Sequence, residues 1–241
     1  MQNNPKTNSL ARRVFFSLVG VVAVLVTLHL VFQYLNLEVY NEKQGQIFEL
    51  SNRVDFDDEV SLPTWFSQFL LLAIGATALL IARFEKAKSR RRAWTFIGVA
   101  GVLMSIDEVG SIHEFILQSA HLAYYGEIVP TAAVNAWVLA LPFIAVGGIL
   151  FLWWMYRTLP LRTVVLLMIS GVVYLTGAAG LELFSNDFAK TSFMYQGTMT
   201  ALEESLEMIG SIMVLATVVS YLEVNHAEKL KALGKLLSRQ S

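Results

Sequence analysis

The chain contains no cysteine, which excludes disulfides, thiolate metal sites, cysteine-ligated iron–sulfur clusters and a cysteine nucleophile. Charge is scarce too: Asp, Glu, Lys and Arg make up 15% of the 241 residues, against about 25% in an ordinary soluble domain. Neither sign dominates, because 18 Lys and Arg face 19 Asp and Glu for a net charge of −1. No basic arm or stripe is present, so nucleic acid is not an expected partner. Apolar residues fill the space: AVILMFWYC account for 55% of the chain, and mean hydropathy is +0.55. Such a surplus suits a chain solvated by lipid.

Crossing the hydrocarbon core by helix takes about 20 mostly apolar residues. Six stretches qualify, near 14–36, 63–83, 94–117, 135–157, 163–185 and 200–222. The expected fold is an all-α integral membrane protein, a bundle of six transmembrane helices over residues 1–222 with a tail over 223–241. Lys6, Arg12 and Arg13 precede the first apolar run, but it is too long for a signal-peptide core and no A-x-A site follows, so it reads as a retained anchor. Ser61-Leu62-Pro63 reads as a helix start, Pro being tolerated where the N–H has no partner.

The basic residues set the orientation. Those before span 1, in the 83–92 linker, around the 157–162 linker and after span 6 all fall on one side, leaving only Lys43, Arg53 and Lys190 on the other. By the positive-inside rule both termini are cytoplasmic, on the inner side of a plasma membrane. Trp65 and Trp137 then mark outer span ends, and Trp94, Trp153 and Trp154 inner ones. In the tail, Ala227, Leu230, Leu233 and Leu237 recur at helical spacing among Lys229, Lys231, Lys235 and Arg239, the pattern of an amphipathic helix on an anionic leaflet. Gly98, Gly101, Gly177 to Gly180 and Gly210 are expected to let helix backbones approach.

The outer loop from Glu38 to Leu62 holds seven acids and two bases. Asp55, Asp57, Asp58 and Glu59 lack the Gly turn and ligand spacing of an EF-hand loop, so the segment reads as solvated or lying on the membrane surface.

Seven carboxylates lie inside the expected spans: Asp107, Glu108 and Glu114 in span 3, Glu182 in span 5, and Glu203, Glu204 and Glu207 in span 6. An ionisable residue at membrane depth costs at least about 2.5–3.5 kcal/mol on insertion scales, which makes each a functional hypothesis by default. With a 1.5 Å rise per residue, Asp107 lies roughly 20 Å from Trp94, Glu114 roughly 30 Å, Glu182 roughly 30 Å from Arg162 and Glu207 roughly 24 Å from Glu223. Against a core about 30 Å thick, all seven share the outer half. His29 and His113 fall in the same slab. At 100° per residue, Asp107, Ser111 and Glu114 form one stripe, while Glu203, Glu204 and Glu207 share another.

Oxygen ligands with one or two imidazoles suit a hard or borderline divalent metal, here Fe, Mn or Zn. The ligands would come from Asp107, His113, Glu114, Glu203, Glu207, His29 and Glu182, with Glu108 or Glu204 as general base. Di-iron carboxylate bundles carry Glu-x-x-His on two helices, whereas the one Glu-x-x-His of this chain, Glu223 to His226, falls after span 6 and away from the acids. Plainer roles compete. Glu114, Glu182 and Glu203 read singly as hydrated helix-end residues, and Glu203 and Glu204 also as N-terminal acids complementing the macrodipole. His29 reads singly as an interhelical hydrogen bond. Asp107, Glu108 and Glu207 are deeper and grouped, and their structural alternative is protonated carboxyls bonding across helices.

Three blocks resemble a group of uncharacterised bacterial multi-pass membrane proteins: Phe56-Asp57 with Leu62-Pro63-Thr64-Trp65-Phe66-Ser67, Ser105-Ile106-Asp107-Glu108 with His113-Glu114, and Glu203-Glu204 with Leu206-Glu207-Met208 and Gly210. The resemblance supports six spans and implies no reaction. Alkaline ceramidase-like hydrolases need three histidines on seven spans, and CAAX-type proteases need Arg where Met208 stands. The expected function is a metal-dependent enzyme open to the outer side, either hydrolase or oxidoreductase, acting on a lipid-linked or small apolar substrate. The competing classes are a cation- or proton-coupled transporter, suggested by acidic pairs on the third span of each half, and a non-catalytic sensor or assembly subunit.

Overall fold

A computed structural model of the protein describes residues 9–40, 45–112, 115–116, 146–181 and 193–237. The expected site residues His113, Glu114 and Glu182, together with Trp137 and the first half of the fourth span, lie outside them. Among the described residues the chain is helical, without a strand. Helix α1 is Ser9–Tyr34, continued by a π-helical turn Leu35–Tyr40; α2 is Gln46–Arg53, α3 Leu62–Phe84 and α4 Lys88–Gly110. Helix α5 covers 146–158. Helix α6 is Leu161–Leu175 with a π-helical turn Thr176–Leu181, α7 is Phe193–Asn225 and α8 is Ala227–Leu237.

Five described helices, rather than the six expected spans, are long and apolar enough to cross a membrane; of the fourth expected span only 146–158 is described. Many large apolar side chains point outward, among them Phe16, Val24, Leu103, Ile149 and Val172. A soluble monomer rarely exposes so continuous an apolar surface, whereas in lipid it costs nothing. Helix α7 is the axis of the bundle, half of its apolar window being buried against 17% for α1. It packs on α1, α3 and α6.

Two apolar layers are threaded by α7. The first joins Val22, Leu25, Leu70, Ile74, Met208 and Ile212, and the loop before α3 contributes Phe56 to it. The second joins Ile81, Trp94, Met155, Val164 and Val218. Trp94 is fully buried, its ring 4.6 Å from that of Tyr221, so it is a core residue rather than the interfacial anchor expected. Trp65 and Trp153 are exposed, as interface residues are.

The glycines do what their spacing suggests. A Cβ on Gly101 would lie 2.9 Å from the Gly75 nitrogen, and one on Gly98 2.6 Å from Leu79 Cγ, so α3 and α4 meet backbone to backbone. A Cβ on Gly210 would lie 2.7 Å from the Tyr174 nitrogen, and one on Gly177 2.6 Å from the Glu203 carbonyl, which seats α6 on α7.

The helix ends gather at two poles. The Glu223 carboxylate of α7 accepts the free N–H groups of Leu10 and Ala11, each at 3.2 Å, capping α1. At the same pole Glu85, after α3, is buried and accepts hydrogen bonds from Tyr221 and, at 3.3 Å, His226, while Arg90 pairs with it at 3.2 Å. Arg12, Arg13, Arg83, Lys86, Lys88, Arg90, Arg91, Arg92, Arg157 and Arg162 belong to helix ends at this basic pole. Helix α8 folds back there: Leu230 packs on the second layer and Lys229 Nζ donates to the Phe84 carbonyl at 2.6 Å.

Candidate functional site

Two helix boundaries differ from expectation, and both change the meaning of the acids. Helix α7 starts at Phe193 rather than near 200, so Glu203 and Glu204 lie ten and eleven residues inside it. That is about 15 Å from the end, beyond the first turn over which a macrodipole acts, and it removes the N-terminal explanation for these acids. Helix α4 stops at Gly110 instead of running to 117. Ser111 takes a left-handed conformation (φ 42°), its N–H bonds the Asp107 carbonyl at 2.8 Å and its hydroxyl donates to Glu59 Oε1 at 2.5 Å. The expected stripe Asp107–Ser111–Glu114 is therefore interrupted at Ser111. Asp107 and Glu108 occupy the last turn of α4, where the macrodipole disfavours negative charge.

Glu204 is the centre of the constellation. It is half-buried, and its electrostatic neighbours are Glu207, Glu108, Glu203 and Asp57. Carboxylates from three parts of the fold thus lie within electrostatic range of it: α7, the end of α4 and the loop before α3. Tyr174 of α6 adds a fourth, its side chain hydrogen-bonded to Glu207 with Glu108 and Glu204 in electrostatic range. The π-helical turn after α6 and the bare backbone of Gly177 bring this strand of contacts against Glu203 and Glu207. The α4 carboxylate that acts on Glu204 and Tyr174 is Glu108. Asp107 beside it is half-buried and has interactions of its own.

Below the acids the described residues of α7 are apolar and buried. Met208 and Ile212 are fully buried, Leu215 nearly so and Val218 fully. Above them the outer loop is held by local bonds. Val60 N–H donates to Asp58 Oδ1 at 2.8 Å, Thr64 Oγ1 to the Asp58 carbonyl at 2.9 Å, and Thr64 N–H to the Ser61 cap of α3 at 3.3 Å.

His29 is buried on the α1 side of this pole. Its Nδ1 lies 3.2 Å from the Val54 carbonyl and 3.6 Å from Asp55 Oδ1, and its Nε2 lies 3.2 Å from the Gly197 carbonyl. The Phe56 ring meets it edge-on at 5.2 Å. Both carbonyls are acceptors, so the two contacts are hydrogen bonds together only when both ring nitrogens carry hydrogen. In this arrangement His29 ties α1 to the loop and to α7 and directs neither nitrogen toward the α4 and α7 carboxylates. His29→Leu removes the ring bonded between α1, the loop and α7 and is expected to cost about 1–3 kcal/mol. Thermal unfolding in detergent should show the loss, with faster tryptic cleavage after Arg53.

Asp57 sits at the rim. Partial burial, then the neighbouring Asp55 and Asp58 carboxylates, raise its pKa above the ordinary 3.8, with His29 opposing. A raised native value means that the folded loop holds its proton longer than the unfolded chain. Its contribution is complete below the ordinary aspartate range and is lost as pH rises through the raised value. Asp57→Asn should therefore flatten the pH dependence of cleavage after Arg53 in that window; an unchanged profile would count against the assignment.

Among the described residues, no three His, Asp or Glu side chains form a group able to hold a metal ion. The carboxylates around Glu204 do not by themselves make a metal centre, and a metal would have to draw on His113, Glu114 or Glu182. Sequence reasoning passed over Tyr174, although a tyrosine roughly 18 Å along its helix from Arg162 stands level with the acids. It also passed over Glu85, which is hidden in a charged linker.

A family model described as a domain of unknown function, DUF8692, matches residues 15–222. The chain belongs to the DUF8692 family. The match runs from α1 to the last turn of α7, so the residues around Glu204 lie wholly within it. No curated protein and no solved structure matches the chain.

Proposed function

We propose that this DUF8692 chain is a six-span protein of a bacterial inner membrane, with both termini cytoplasmic, and an enzyme whose acid–base site opens to the outer side. The basic pole supports the orientation. The sixth span is completed by 135–157, whose second half is helical. One observation carries the catalytic reading: Glu207, Glu108, Glu203 and Asp57, from α7, α4 and the loop before α3, all act electrostatically on Glu204, above the buried apolar layer of Met208, Ile212 and Val218. A carrier needs a path through that layer, whereas an enzyme needs one entrance.

In this reading Glu108 and Glu204 exchange a proton with the substrate, and the Tyr174–Glu207 pair holds a donor beside them. The level of the site in the outer half of the bilayer favours a lipid-linked or small apolar substrate. The test is an untargeted lipid and small-molecule profile of membranes from cells that express the protein and cells that do not. The reading requires at least one species to be consumed and another to accumulate; identical profiles overturn it.

A second reading keeps the divalent metal, Fe, Mn or Zn, and is favoured by the number of oxygen ligands at one level. Metal analysis of protein purified in mild detergent without chelator decides it. The metal reading predicts one or two equivalents, lost in a Glu204→Gln, Glu207→Gln double variant. Protein that is folded and metal-free leaves the acid–base reading alone.

A further inference from the structure

At the basic pole a groove of about 450 Å³ opens between α3 and α4, lined by Leu79, Ala82, Arg83, Arg91 and Thr95. Arg83 is in the last turn of α3 and Arg91 in the first turn of α4, so the two guanidinium groups approach the groove from opposite walls. Both are exposed, and neither has a carboxylate partner among the described residues. The nearby carboxylate of Glu85 is occupied by Arg90, Tyr221 and His226. Arg91 is held in place instead by the Glu85 backbone carbonyl, which accepts from its Nε at 3.3 Å and its Nη2 at 3.1 Å. Of its five N–H donors three remain.

The local field has one sign. Lys88, Arg90, Arg91 and Arg92 crowd the first turns of α4, which has no acid in its first turn. The helix macrodipole is positive at that end, so these cations are placed where it disfavours them. An anion relieves both effects at once. The groove floor, Leu79 and Ala82, is apolar, and Thr95 supplies a hydroxyl one turn along α4 from Arg91.

We infer that this groove binds the phosphate headgroup of an anionic phospholipid, with Arg83 and Arg91 on the phosphate oxygens, Thr95 donating beside them and an acyl chain lying along Leu79. Guanidinium groups suit phosphate oxygens, and basic clefts between helices on the cytoplasmic side are a recurring place for such headgroups. The leaflet assigned here, the cytoplasmic one, rests on the orientation proposed above; the binding itself does not.

The experiment uses full-length protein in mild detergent. Thermal unfolding and native mass spectrometry are followed on adding phosphatidylglycerol, phosphatidylcholine or inorganic phosphate. The comparison set is wild type, an Arg83→Gln, Thr95→Val variant, and Arg92→Gln, an exposed cation that does not line the groove. Phosphatidylglycerol should stabilise the wild type and stay bound. Loss of one guanidinium and one hydroxyl contact should weaken apparent affinity about tenfold, with Arg92→Gln within about twofold of wild type. Equal weakening by Arg92→Gln would reduce the effect to diffuse attraction and overturn the site. Equal stabilisation by phosphatidylcholine, or by inorganic phosphate at the same concentration, would overturn the anionic-lipid assignment. Because detergent abolishes sidedness, these outcomes are independent of orientation, which protease protection of α8 in intact cells reads separately.

Discussion

Glu204→Gln is expected to leave a folded bundle and remove the chemistry. The substitution keeps side-chain volume and hydrogen-bonding capacity and deletes only the exchangeable proton, at the residue that draws Glu207, Glu108, Glu203 and Asp57 together. A positioned general acid or base contributes about 10²–10⁴ in rate, so the profile change produced by the wild type should fall at least about a hundredfold. Glu108→Gln should fall into the same range, since Glu108 is the α4 carboxylate in electrostatic range of Glu204. Tyr174→Phe should lose less, because it removes the donor to Glu207 while leaving every carboxylate. Wild-type levels of product in the Glu204→Gln membranes, with equal protein present, would remove the acid–base role.

Gly210→Leu is expected to have the largest effect on stability. The glycine faces Tyr174 so closely that a Cβ would lie 2.7 Å from both its nitrogen and its Cβ, and 2.8 Å from its Cα. Two of these are backbone atoms that cannot rotate aside. Relief requires α6 to move off α7, and Tyr174 moves with it. Overpacking of a tight contact costs about 1–3 kcal/mol and more where backbone limits relaxation; small residues at such crossings are what allow membrane helices to pack. The expected readout is a lower unfolding midpoint in detergent together with loss of the profile change. Gly20→Leu is the control, since nothing lies within 4 Å of a Cβ there. Equal midpoints for the two variants would show that the α6–α7 contact does not govern the fold.

Much of this architecture was legible in the sequence, because bilayer thickness and apolar run length determine it together. Helix α3 begins and ends within one residue of expectation: Ser61 caps it, Pro63 fits its first turn, and the charged linker follows Phe84. The glycine contacts were legible from spacing alone. The two shifted boundaries were not. Phe193 to Thr200 mixes apolar and polar residues, and α7 runs through it with Gly197 against the Gln33 side chain and its carbonyl at His29. The stop at Gly110 arises from Ser111, whose hydroxyl is engaged by Glu59 from 52 residues away in sequence, a tertiary contact that no local pattern encodes. The level of the acids, and with it the grouping of Asp107, Glu108 and Glu207, followed from counting residues. Helical phase put Asp107 on a face with Ser111, and it did not show that Glu108 is the α4 carboxylate in range of both Glu204 and Tyr174. The depth of His29 was readable, whereas its bonding to two main-chain carbonyls needed the loop to fold back with Phe56 beneath it.

The central claim is that Glu204 belongs to a proton-exchanging site reachable from the apolar phase, and carbodiimide mapping tests it most directly. An apolar carbodiimide reacts with carboxyls that carry a proton in a hydrophobic setting, and peptide mass spectrometry reports which ones. Treated in mild detergent at neutral pH, the wild type should carry the label on Glu204, or shared between Glu204 and its neighbours Glu108 and Glu207, and the Glu204→Gln variant should lose most of it. Label confined to the loop acids Asp55, Asp58 and Glu59, with the peptide containing Glu203, Glu204 and Glu207 unmodified, would contradict the account.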